Sequence, residues 1–169
     1  MKNTYDIIMK IFLVGTCANT TWRNELIPLL ESQNIDYFNP VVDDWTPECQ
    51  QIEEDEKNNK CDVHLYVITK EMQGVYSIAE VINSAWQSVL YGTHVDYVIF
   101  CILDEGKWEE YEKKSFNATM KMVANIAPHN SLSCYVNNME ELSELFEIVG
   151  DVLDDDKYYR QLNNLPVKN

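Results

Sequence analysis

Two carboxylates set the chemistry open to this chain. Glu80 closes the stretch GVYSIAE (residues 74–80), directly after the apolar run CDVHLYVIT. Glu54 lies in QIEE (residues 51–54), eight residues ahead of Asp62, the second residue of that run. A carboxylate held ionised at a helix start beside a crevice suits a nucleophile. A second carboxyl group that gives a proton to the leaving group completes the pair used to cleave glycosidic bonds, about 5–5.5 Å apart in retaining enzymes. Each residue also has a purely structural reading. Ser77-Ile78-Ala79-Glu80 fits a capping box, in which hydroxyl and carboxylate satisfy orphan amides. Glu54, with Lys57 three residues on, fits a solvated charged face.

The elements that position these residues follow from periodicity. KIFLVG is a short strand ending in glycine, and TWRNELIPLLESQ a helix capped by Thr20 or Thr21, with Trp22, Leu26, Leu29 and Leu30 on one face. Pro28 predicts a kink or a late start there. IDYFNP is a second strand halted by Pro40, and a polar helix spans roughly residues 47–60. DVHLYVIT is a third strand, followed by a helix whose stripe is Ile78, Val81, Ile82, Ala85 and Val89, with Gly92 at its end. VDYVIFCIL, SLSCYV and two further helices complete the alternation. Such a pattern predicts a flavodoxin/Rossmann-like three-layer α/β domain with a five-stranded, mainly parallel sheet. Ligands of such sheets sit beyond the strand carboxyl ends near the topological switch point. Residues 1–9 read as a disordered lead-in without a cleavage site, 10–153 as the single domain, and 154–169 as a polar C-terminal tail.

Composition narrows the partners. The 169 residues are 46% hydrophobic, with no apolar run near the roughly 20 residues that span a bilayer. A net charge of −15, with two arginines in all, repels polyanions and argues against double-stranded nucleic acid and anionic membrane. A small neutral or modestly charged ligand is easier to accommodate. The five cysteines are scattered and never spaced Cys-x-x-Cys, and the three histidines are isolated, so neither disulfides nor a metal site is expected. The default location is cytoplasmic. Trp22, Trp45 and Trp86 are candidates to stack a base, with Trp45, in a loop, the best placed; Cys17 reads as a small packed thiol.

The ordered series FLVGTC, WR, NPVVDDW, QIEE, CDVHLYVIT and GVYSIAE resembles the nucleoside 2-deoxyribosyltransferase-like family, which includes deoxynucleoside-monophosphate N-hydrolases. The resemblance implies Glu80 as the nucleophile on the anomeric carbon and Glu54 as the acid that manages the proton on the base. It implies Gly15 and Thr16 at the floor of a sugar site, Asn39, Asp44 and Trp45 near the base, and Ser77 near a sugar hydroxyl or phosphate. It also implies a homo-oligomer and no cofactor. The chain departs from the pattern at Gly74, where transferases carry an aspartate and hydrolases a serine. Val41 and Val42 replace basic residues, which leaves Arg23 as the one arginine placed to contact an anion. Two other expectations stay open: a non-catalytic binder of nucleotide derivatives on the same fold, and an acidic protein-interaction module.

Overall fold

The structure, a computed structural model, describes residues 9–17 and 20–163. Residues 1–8 of the lead-in and 164–169 of the tail lie outside the described residues. Strands and helices alternate as β1 (Lys10–Gly15), α1 (Trp22–Ser32), β2 (Asp36–Phe38), α2 (Pro47–Asn59), β3 (Val63–Ile68), α3 (Tyr76–Val89), β4 (Tyr97–Leu103), α4 (Glu110–Ile126), β5 (Ser131–Val136) and α5 (Met139–Leu162). The sheet has the order β2-β1-β3-β4-β5, and every pairing is parallel, where the sequence allowed for a mainly parallel sheet. That is the flavodoxin-like order, with its switch point between β1 and β3.

Alternation along the central strands divides the core into two layers. Ile11, Leu13, Leu65, Val67, Ile99 and Cys101 pack with Trp22, Leu26 and Leu30 of α1 and Leu142, Phe146 and Val149 of α5. Phe12, Val14, Tyr66, Ile68, Phe100 and Ile102 pack with Val81 and Ala85 of α3 and Phe116 and Val123 of α4. Both faces of β3 and β4 are thus covered, which is why those strands read as unbroken apolar runs.

Helix α1 starts at Trp22 with Thr21 as N-cap, one of the two caps expected, and contains Pro28 without a late start. Two boundaries differ from the sequence reading. Helix α3 ends at Val89, ahead of Gly92, because Leu90 turns to an extended conformation. Helix α5 continues to Leu162, into the segment read as a polar tail; its last buried residue is Leu153, so the outer turns carry no apolar stripe that periodicity could have detected.

Helix α2 buries no residue completely. Polar links hold it against the α3 side of the sheet: Lys10 Nζ to Glu56 at 2.7 Å, Gln87 to Asn58 at 3.2 Å, and His64 Nε2 to the Lys57 carbonyl at 2.7 Å. The polarity of this helix creates an open flank beside the switch point.

Candidate active site

The ends of β1 and β3 meet in a contact that only glycine permits. Gly15 has φ +126°, and a Cβ there would lie 2.1 Å from the Val67 carbonyl oxygen. The next residue, Thr16, is buried; its amide donates to that carbonyl at 3.0 Å, and its hydroxyl accepts from the Thr69 amide at 3.0 Å. Thr16 therefore staples the two strand ends together. Above them lies a cleft of about 810 Å³, bounded by Gly15 and Cys17 below, by α2 on one side and by the start of α3 on the other. Pro40, Val41, Val42 and Trp45 form its apolar lip, with Trp45 62% exposed. A second cavity, about 140 Å³, lies towards α1 and α5; its Lys70 and Lys107 are paired with Glu112 and Glu105.

Glu80 projects into the larger cleft from α3. The capping-box reading fails, because α3 begins at Tyr76 with Val75 as N-cap and no side chain caps it. Ser77 is thus already inside the first turn, and Glu80 is the fifth residue of the helix, beyond reach of the cap amides. Its carboxylate pairs instead with Lys57 across the cleft, through Oε1, with side chains 20% and 14% exposed respectively. The Lys57 ammonium also lies 5.9 Å from the Phe12 ring centroid and 6.0 Å from that of Tyr66, both within cation–π reach.

A buried polar chain fixes the Lys57 end of α2. The Lys57 carbonyl can only accept, so His64 Nε2 carries the proton and donates to it. His64 Nδ1 must then accept from the Ser84 hydroxyl at 2.8 Å, which leaves Ser84 Oγ to accept from the Tyr66 hydroxyl at 2.8 Å. Burial depresses the His64 value from 6.5 to about 4, assisted by the Lys57 charge and His94 and opposed by the bond to the Lys57 carbonyl. Because the folded value lies below the unfolded one, the stabilisation from neutral His64 is complete above about pH 6.5 and is lost as pH falls towards 4. Between about pH 7.5 and pH 5 the protein is expected to lose about 2 kcal/mol of unfolding free energy to this residue. Urea titrations at the two pH values check this; His64→Gln should be less stable at both and lack that share of the difference.

The adjacent glutamates Glu53 and Glu54 of α2 face differently. Glu54 is exposed, and its carboxylate accepts from Gln50 at 3.1 Å within the helix. Glu53 is half-buried on the cleft wall, one turn before Lys57. Burial raises its pKa, with the Glu80 and Glu54 charges adding to the rise and Lys57 and Arg23 opposing it. Arg23 is not a free anion contact. Its guanidinium is buried, stacks 4.2 Å from the Trp22 ring centroid, and donates to the Leu13 carbonyl at 3.2 and 3.0 Å and to that of Thr16 at 2.9 Å. Burial accordingly lowers its pKa.

Of the residues singled out in the sequence, the cleft brings together Gly15, Arg23, Trp45, Glu54, Ser77 and Glu80. Thr16 lies beneath it, and Asn39, Asp44 and Gly74 do not line it. Asn39 uses its side-chain oxygen on the Val41 amide at 3.1 Å, and the Asp44 carbonyl accepts from the Cys49 thiol at 3.9 Å. Gly74 is exposed, with open space where a Cβ would stand. Trp22 is 2% exposed and donates to the Thr16 carbonyl at 2.9 Å, which removes it as a stacking surface. Trp86 is half-exposed and does not line the cleft. Glu53, Lys57, Cys17 and Tyr76 line it without having been assigned there from sequence.

Among the described residues no cluster of three or more His, Cys, Asp or Glu side chains can hold a metal ion, and no helix is long and apolar enough to cross a membrane. The sequence matches the family described as "Nucleoside 2-deoxyribosyltransferase like" over residues 8–104, more than half of the chain. That span runs from the edge of β1 to the end of β4 and contains every residue of the larger cleft. Neither the curated proteins nor the solved structures compared with the chain gave a match.

Proposed function

The chain belongs to the nucleoside 2-deoxyribosyltransferase-like family, and from that premise we propose that it cleaves or transfers at the N-glycosidic bond of a (deoxy)ribonucleoside or its monophosphate. The observation that carries this reading is Glu80, a carboxylate without a capping partner in its own helix, directed into a cleft at the β1/β3 switch point opposite the carboxyl groups of α2. Glu80 attacks the anomeric carbon and the base departs with the bond's electron pair. A carboxyl group of α2 gives that base its proton. The sequence pointed to Glu54 for this role; the half-buried position of Glu53 favours the neighbouring residue. The glycosyl ester then passes its sugar to another base or to water. The apolar lip at Val41, Val42 and Trp45 suits the face of a base, with stacking on Trp45 contributing about 1–3 kcal/mol. Ser77, at the start of α3, lies where a sugar hydroxyl or phosphate oxygen is expected. A homo-oligomer in the cytoplasm, with no metal or cofactor, is the setting this reading implies.

A second reading has its own observation. Lys57 already neutralises Glu80, and Gly74 offers no side chain to hold a sugar hydroxyl. A binder that retains an intact nucleotide derivative in the same cleft fits those two facts.

Incubation with each deoxynucleoside and monophosphate, with and without a second free base, distinguishes the two. An enzyme releases free base over many turnovers, or produces the exchanged nucleoside. A binder returns the ligand unchanged after denaturation, and recovery of intact ligand alone would refute the catalytic reading.

A further inference from the structure

Glu80 is held by a cation on the opposite wall, and the two half-reactions ask opposite things of that contact. In the first, a Glu80 oxygen bonds to the anomeric carbon while the carbon–nitrogen bond breaks, its electron pair leaving with the base and a proton arriving from α2. The negative charge of Glu80 disappears into an ester. In the second, the ester carbon–oxygen bond breaks and its electron pair returns to the carboxylate. A water or acceptor base bonds to the anomeric carbon and yields its proton to α2. The charge reappears. A cation bonded to one carboxylate oxygen stabilises the anion more than the ester, so it restrains the first step and assists the second.

We infer that Lys57 is the positioning residue that expels the sugar from Glu80, by receiving the carboxylate as it is released. The inference rests on the proposed function, and four observations on this chain support it. Lys57 bonds Oε1 of Glu80, leaving Oε2 for the sugar. Its ammonium lies beside the Phe12 and Tyr66 rings and within electrostatic range of Glu53, and both side chains of the pair are mostly buried, so the pair is only partly screened. Its backbone carbonyl is held by the chain from Tyr66 through Ser84 and His64, which fixes the root of the side chain on the cleft wall independently of Glu80. Arg23, the other cation of the cleft, is committed to the Leu13 and Thr16 carbonyls and cannot substitute.

The test separates the two steps. Lys57→Met keeps the stem against Phe12 and Tyr66 and removes the charge. With a cleavable nucleoside it should give a burst of about one free base per folded molecule, then a steady rate reduced roughly ten- to a hundredfold, the contribution of one hydrogen bond to a charged group. Intact-protein mass spectrometry during the slow phase should find the sugar attached, and peptide mapping should locate it on Glu80. Lys57→Arg, which retains a cation, should remove the burst. If Lys57→Met does not fold, Lys57→Gln is read by the same criteria. An unaltered rate, or equal slowing of the burst and the steady phase, overturns the inference and leaves the proposed function intact. A wild-type protein that releases no base from any nucleoside overturns both.

Discussion

Glu80→Gln is expected to reduce turnover on the order of a thousandfold or more, because an amide cannot form the glycosyl ester on which both half-reactions depend. The side chain keeps its volume and its place in the fifth position of α3, so the helix start is unaffected. The cost to stability comes from Lys57, which loses its carboxylate partner but has Glu53 one turn away on its own helix. A partly shielded pair of this kind contributes about 1 kcal/mol, a shift of a few degrees in Tm for a domain of this size. Activity per folded molecule and thermal unfolding, measured on one preparation, decide the matter. Intact activity with a large loss of Tm would make Glu80 a structural anchor for α2 and nothing more.

The parts of this molecule that were legible in its sequence are those where apolar residues set the register. The continuous runs of β3 and β4 required cover on both faces, and their alternation with amphipathic helices led to the parallel sheet and its order. Glu80 was legible because α3 carries a stripe, Ile78, Val81, Ile82 and Ala85, that fixes which side of the helix meets the cleft. Helix α2 has no such stripe. Its one large apolar residue, Ile52, is exposed, so nothing in the sequence sets the helical phase, and the choice between Glu53 and Glu54 was open by about 100° of rotation. The Lys57 contact escaped for the same reason: Glu53 and Lys57, four apart, share a face that only the polar links to β3 and α3 turn inward. Arg23 lines the cleft as expected, but its engagement with backbone carbonyls was not legible, for a different reason. The open carbonyls at the end of β1 needed a donor, and a buried guanidinium with several N–H groups met that need.

That unresolved phase of α2 makes the second large effect a contest between neighbours. Glu53→Gln is expected to slow cleavage of nucleosides with poorly departing bases by about a hundredfold or more, the usual contribution of a positioned general acid. A substrate whose base departs without protonation should be nearly spared. Glu54→Gln should change either rate less than threefold or so, since its carboxylate is exposed and engaged by Gln50. The physical ground is the environment of Glu53. Burial, then the charges of Glu80 and Glu54, disfavour its ionised form, and Lys57 and Arg23 only partly restore it. A carboxyl group whose pKa is raised keeps its proton to higher pH than an ordinary glutamate and can still give it away when the base leaves. The rate on ordinary nucleosides should therefore fall as pH rises through the Glu53 value, and this limb should be missing in Glu53→Gln. The same limb surviving in Glu53→Gln but vanishing in Glu54→Gln would return the proton to Glu54, which also lines the cleft. Equal losses on both classes of substrate would instead make Glu53 a binding residue for the sugar.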